Sequence, residues 1–250
     1  MIPLFSCVMP VKGDRPYMTE ALASLESQGM GDDLEIIVQD GDVEPDNGQS
    51  DALNKGFAKA RGDWLFWLNA DDVLLPGAIK KVLDKINKID GIEWLAGDTV
   101  YIDENGQIKE VRNDARWRPW FGRKLSAWTG GPSAFFSRAL WERLGGFNVN
   151  LKYVMDIDLW TRWARAGVKF ESISFYAWGF RVHRGSKTAG GAHRDEHRSE
   201  REQLLANCGF RAEKLWRNMT RLASLLDGSW AKRRIDSRRL RNRHWTSVAE

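Results

Sequence analysis

Apolar and polar positions alternate between two periods along the first hundred residues. The runs "LFSCVM" (residues 4–9) and "LEIIV" (34–38) are short and almost wholly apolar, which predicts buried strands. Between them, "RPYMTEALASLESQ" spaces Met18, Ala21, Leu22 and Leu25 as one face of a helix, with Asp14 before Pro16 as its start signal. A second helix, "SDALNKGFAKA" (50–60), leads into the strand "DWLFWL" (63–68). Pro76 then opens a helix that carries Ile79, Val82, Leu83 and Ile86 on one face. Strands alternating with helices predict an α/β fold with a mainly parallel central sheet covered on both sides.

The pattern changes after residue 94. "WLAGDTVYID" and "QIKEV" flank Glu104, Asn105 and Gly106, and the Asn-Gly pair predicts a small antiparallel hairpin. A Trp- and Arg-rich stretch follows, then "GGPSAFFSRALWERLGGF" (130–147) and a helix in "DIDLWTRWARAG" (156–167). From about residue 192 the chain reads as helical and polar. The expected organisation is therefore one domain over 1–191, divided near residue 98, and a helical, basic C-terminal appendage over 192–250.

Composition narrows the class. A chain of 250 residues with 42% hydrophobic and 29% charged residues is an ordinary soluble protein with room for a sizeable core. Its 13 Trp are unusual; most belong in a core, and one or two, with Trp128 and Trp160 as candidates, line a binding cleft for an acceptor. Cys7 and Cys208 make neither a disulfide framework nor a metal site, which suits a reducing compartment. With no basic leader and no run of about 18 apolar residues, the expected location is cytoplasmic. The net charge of +4 conceals a basic run at 230–244, in which Lys232, Arg233, Arg234, Arg238, Arg239, Arg241 and Arg243 face Asp236 alone. Such a run is a solvated face, or it seats the protein peripherally on an anionic inner membrane surface, with Trp230 and Trp245 at its ends; nucleic acid is not expected.

Ligands of open α/β sheets bind beyond the carboxyl ends of the strands. Asp40 follows the second strand, Asp71 and Asp72 follow the strand at 64–68, and Asp156 opens a later helix. Adjacent carboxylates repel unless a cation or a wet surface accommodates them. Mg²⁺ or Mn²⁺ does so with oxygen ligands and a substrate's phosphates; the simpler alternative is a helix start before Pro76, where carboxylates are also favoured.

The stretch "EPDNGQSDALNKGFAKARGDWLFWLNADDVLLPGAI" resembles the nucleotide-binding half of family-2 inverting glycosyltransferases of the GT-A fold. "FSCVMPVKGDRPYMTEALASLESQ" is similar to that family's first strand and helix, and "GGFNVNLKYVMDIDLWTRWARAG" to its acceptor-side acidic segment. The resemblance spans about residues 4–190 and divides the domain into a nucleotide-binding half, 1–98, and an acceptor-binding half, 99–191. It implies a nucleotide-sugar donor, a glycan or lipid-linked acceptor, and Mn²⁺ or Mg²⁺. Pro10 and Asp40 would lie against the donor's nucleoside, Asp71 against its ribose or diphosphate, and Asn54 and Lys55 on a helix facing it. Asp72 would hold the metal, with His183 of "FRVHRGSKT" as a further ligand, and Asp156 would be the catalytic base. Residues two apart on a helix point in nearly opposite directions, so Asp158 is assigned instead to an ion pair with Arg162.

The chain departs from the family at Asn69, where an Asp is usual, in a shortened segment between Asp40 and Asp46, and at Val11-Lys12 after Pro10. These departures keep a second reading open, a non-catalytic nucleotide-sugar or glycan-binding module of the same fold. A nucleotidyltransferase ranks last, because no Gly-rich phosphate loop follows the first strand.

Overall fold

A computed structural model describes residues 2–112, 131–186, 193–207 and 228–249. The first half follows the apolar pattern: β1 (Phe5–Val11), α1 (Met18–Glu26), β2 (Leu34–Asp40), α2 (Gln49–Lys59), β3 (Trp64–Trp67), the two-residue β4 (Val73–Leu74) and α3 (Ala78–Ile86). The second half contains β5 (Trp94–Ile102), β6 (Ile108–Arg112), β7 (Ala134–Ser137), α4 (Arg138–Leu144), α5 (Met155–Arg165) and β8 (Phe170–Arg181). Two further helices are α6 (Arg194–Asn207) and α7 (Ser229–Leu240).

One sheet runs in the order β2-β1-β3-β7-β5-β8-β4, with β6 paired to β5. It is parallel across β2-β1-β3 and β5-β8, and antiparallel at β3-β7, β7-β5, β5-β6 and β8-β4. The α/β expectation is met, and the sheet is mixed because the short strands β7 and β4 run antiparallel to the strands they pair with.

Strand alternation divides the core. Phe5, Cys7, Met9, Trp64, Phe66 and Leu68 pack with Ala21, Leu25, Ile79 and Val82 of α1 and α3 on one face. Val8, Leu65 and Trp67 pack with Leu53, Leu140, Leu159 and Trp163 of α2, α4 and α5 on the other. Cys7 is fully buried, and burial pushes its thiol pKa far up, so it is an inert core residue.

The C-terminal residues form a third core with the hairpin. Leu240 and Trp245 are buried against Val73, Val100, Ile102, Ile108 and Val111. Backbone bonds from Asn242 N to Ile108 O (2.8 Å), from Ile108 N to Arg243 O (2.8 Å) and from Trp245 N to Gly106 O (3.0 Å) tie this segment to β6 and its turn. Trp245, expected at a membrane interface, is 6% exposed, because its ring completes this core. Cys208, Trp117, Trp120 and Trp128 lie outside the described residues.

Candidate functional site

The carboxyl ends of β1 and β3, the starts of α2 and α5 and the end of β8 surround a cleft of about 550 Å³. Pro10, Lys12, Asn69, Asp71, Tyr153, Met155, Asp156, Trp178 and Phe180 are among the residues that line it.

The turn that follows β3 separates the two adjacent carboxylates. Leu68 N still bonds Val8 O, the chain then turns with Asp72 N on Asn69 O (3.1 Å), and β4 begins at Val73. α3 starts later, behind Gly77 with no side-chain cap, so neither aspartate caps it. Asp72 points inward and is 1% exposed. Its oxygens accept from Arg181 N (2.9 Å) and Asn69 Nδ2 (2.8 Å). Burial first, and the neighbouring charge of Asp71 second, push its pKa well above the ordinary carboxylate range. Asp71 instead faces the cleft, with 36% of its side chain exposed, and its Oδ2 lies 2.9 Å from His183 Nε2. The repulsion is relieved by asymmetry: one carboxylate is buried and favours its neutral form, and the other carries the exposed charge.

Asn69 explains itself in this geometry. Its amide nitrogen donates to Asp72 while its Oδ1 accepts from Gln49 Nε2 (2.8 Å), linking the turn to α2. An ionised aspartate at 69 has no proton to donate and would add a negative charge to a turn that already holds two carboxyl groups.

His183 is held from three sides. Gly185 N lies 3.2 Å from Nδ1, the backbone N–H of His183 donates to Ser186 Oγ (3.0 Å), and the Tyr17 ring packs 5.2 Å from the imidazole. Lys187 and Thr188 lie outside the described residues.

Arg181, the last residue of β8 and two residues before His183, had no role assigned from the sequence. It is completely buried. Its Nε donates to Asp71 O (2.9 Å), Nη1 to the carbonyls of Asp103 and Glu104 (3.1 Å each), and Nη2 to Glu20 Oε2 (2.5 Å). The guanidinium also lies 4.5 Å over the Tyr17 ring, and Trp245 Nε1 donates to the other Glu20 oxygen. Thus α1, the hairpin turn and the C-terminal segment all converge on the acidic turn. No local pattern marks Arg181, since its side-chain hydrogen-bond partners lie 77 to 161 residues away in the chain.

Asp156 stands in the first turn of α5, with Ile157 N on its Oδ1 (2.8 Å). The cap residue of α5, Val154, makes no side-chain bond to the helix. Glu200 of α6 does this work from outside, accepting from the backbone nitrogens of Lys152 (2.7 Å), Tyr153 (2.6 Å) and Val154 (3.0 Å), where a carboxylate also suits the helix dipole. The C-terminal region therefore reaches the site through α6 as well. Asp158 pairs with Arg162 at 2.9 Å.

Four expected contacts are elsewhere. Asn54 is engaged by the backbone of Phe147, donating to its carbonyl (2.9 Å) and accepting from its N–H (2.9 Å), which pins α2 to the loop before α5. Lys55 Nζ is taken by Pro45 O (2.7 Å) and Asp51 (3.2 Å) and braces the shortened loop. Asp40 accepts from Arg15 Nη2 (2.8 Å) and Asp42 N (2.9 Å) and does not line the cleft. Gly13 N–H and Arg15 likewise hold the Asp42 carboxyl below its usual pKa, so the segment 40–42 is an arginine-bound corner.

Trp160 is the fourth. It is fully buried, stacked 5.1 Å from Trp94 and 6.0 Å from Trp67, and cannot meet an acceptor. Trp160→Ala is expected to lower stability by about 3–5 kcal/mol in urea denaturation. Trp160→Phe should cost far less, since it keeps a ring in the stack and removes an indole N–H that has no hydrogen-bond partner among the described residues. A raised acceptor KM at unchanged stability would return Trp160 to the cleft.

Comparison with known proteins shows what this chain is similar to. Residues 42–141 match the model for glycosyl transferase family 2. The chain is 25% identical over 188 residues to an uncharacterized glycosyltransferase of Rickettsia typhi, covering 65% of this chain and 59% of that protein. It is 22% identical over 188 residues to a chondroitin synthase of Escherichia coli, covering 66% and 27%. The chain thus spans about three fifths of the first relative and about a quarter of the second. Among solved structures, S. aureus TarS 1-349 in complex with UDP-GlcNAc superposes with a TM-score of 0.61 at 15% identity, over 80% of this chain and 65% of that one. Mannosyltransferase PcManGT from Pyrobaculum calidifontis, in complex with GDP-Man and Mn²⁺, gives 0.56 at 18% identity, over 79% and 62%. The fold is of the GT-A type.

Proposed function

We propose that this chain, whose residues 42–141 match the model for glycosyl transferase family 2, transfers a sugar from a nucleotide-sugar donor to a hydroxyl of a glycan or lipid-linked acceptor in one inverting displacement. The observation that carries this reading is the presence of Asp71, within 2.9 Å of His183, and Asp156 on the walls of one cleft. The donors in the TarS and PcManGT complexes, UDP-GlcNAc and GDP-Man, support a nucleotide-sugar ligand.

A carboxylate oxygen and an imidazole nitrogen that meet at a cleft wall fit a divalent cation, Mn²⁺ or Mg²⁺. No group of three such side chains exists among the described residues, so diphosphate oxygens and water would complete the shell, as is common for these ions. When bound, the cation neutralises charge developing on the departing nucleoside diphosphate. Asp71 and His183 would hold it, in place of the sequence-based assignment to Asp72, whose oxygens are committed inside the protein.

The chain's own groups divide the remaining work. Pro10 and Lys12 border the cleft beside the sheet, where the nucleoside and diphosphate would lie. Asp156 takes the proton of the acceptor hydroxyl as it attacks the anomeric carbon, and Glu200 keeps the start of α5 in place while it does so.

The direct test is incubation of the protein with Mn²⁺ and a panel of nucleotide sugars, with release of nucleoside diphosphate and the anomeric configuration of the product as readouts. No release with any donor, with or without oligosaccharide or lipid-phosphate acceptors, would refute catalysis. The acidic turn is tested separately. Asp71→Asn should weaken binding of Mn²⁺ with nucleoside diphosphate by at least about tenfold, the loss of one charged ligand. Asp72→Asn should change it little. Equal losses in titration calorimetry would restore Asp72 as the ligand.

A further inference from the structure

We propose that the outward face of α7 is a docking surface for an anionic lipid bilayer. The helix is fixed by its inner face: Tyr176 donates its hydroxyl to Asp236 (2.6 Å), Leu240 is buried, and the residues that follow are bonded to β6. At about 100° per residue, Arg234 and Arg238 lie on the side opposite Asp236. Trp230 and Ile235 flank them, 40% and 64% exposed, and the Arg234 guanidinium lies 4.7 Å over the Trp230 ring. Arg233, Arg239, Arg241 and Arg243 are exposed as well. The one acidic group of the run, Asp236, is engaged inward, so the charged side chains that the run presents outward are basic.

A merely solvated face has no need of two large apolar side chains among its arginines. Basic residues interleaved with exposed Trp and aliphatic side chains suit the boundary between headgroups and acyl chains, where the cations meet lipid phosphate and the rings and branched chains enter the apolar layer. A nucleic acid would satisfy the arginines and leave Ile235 without a counterpart, which favours lipid. The surface is independent of the sugar-transfer reading, since it lies on α7 and none of its residues lines the cleft.

The test is co-sedimentation of the full chain with vesicles of one part phosphatidylglycerol to three parts phosphatidylcholine, against vesicles of phosphatidylcholine alone. Binding is expected to the anionic vesicles only, and to weaken as salt rises. Arg234→Ala with Arg238→Ala should lower the partition coefficient about 25-fold, from about fivefold for each basic residue near such a surface. Trp230→Ser with Ile235→Ser should lower it while leaving the salt dependence unchanged. These side chains are exposed, so the thermal midpoint should not move. Equal pelleting with both vesicle types, no pelleting with either, wild-type partition in the arginine variant, or binding to a DNA oligonucleotide and not to anionic vesicles would each overturn the proposal.

Discussion

Asp156→Asn is expected to lower the rate of sugar transfer by about 10²–10⁴, the usual contribution of a positioned general base. The amide matches the carboxylate in shape and keeps an oxygen for the Ile157 N–H, so the first turn of α5 has no reason to move. What it loses is the capacity to accept the proton of the attacking hydroxyl. Binding of nucleoside diphosphate with Mn²⁺, measured by calorimetry, should stay within about twofold, because Asp156 belongs to the start of α5 and not to the acidic turn that would hold the cation. A rate loss below about tenfold would remove Asp156 from the base role and leave it as a wall of the acceptor site.

The same helix shows where sequence reading reached and where it stopped. Strands β1 to β3 and helices α1 to α3 were legible because each buries one face through contacts that repeat at a local period, as Phe5, Cys7 and Met9 do against α1, whereas the two-residue β4 was not. That Asp156 and Asp158 serve different ends was also legible, being a matter of helix geometry and of Arg162 four residues on. The orientation of Asp71 and Asp72 was not, because it is decided by Arg181 N, 109 residues away. Asn54 likewise looks like a ligand-facing residue until Phe147, 93 residues on, claims both ends of its amide. Glu200 carries no local pattern that would mark it as the cap of α5. Nor does the basic run announce that Trp245 is a core residue, since periodicity in charge says nothing about a ring that packs on a distant hairpin. Long-range polar pairing has no period, and the exchange of roles between Asp71 and Asp72 follows from it.

Arg181→Met should cost about 3 kcal/mol of folding stability in urea denaturation. Methionine fills much of the volume, so the loss is polar: the carbonyls of Asp71, Asp103 and Glu104 lose their donors and Glu20 keeps a charge without its partner. Removing one member of a buried pair costs about 3–5 kcal/mol. The low end applies because the Glu20 side chain is 34% exposed and water takes over part of its solvation. Adding Glu20→Gln to Arg181→Met should recover part of the loss, since the stranded charge is gone, and the double-mutant cycle isolates that pair. Arg181→Lys should fall between, as an ammonium supplies charge to Glu20 but cannot span Asp71, Asp103 and Glu104 with one planar fork. Because Arg181 Nε holds the carbonyl of Asp71 itself, the methionine variant that remains folded should also bind Mn²⁺ with nucleoside diphosphate more weakly. A stability loss under about 1 kcal/mol would mean that the converging bonds to Arg181 contribute no more than a surface ion pair, and the acidic turn would then owe its shape to Asn69 and the strands on either side of it.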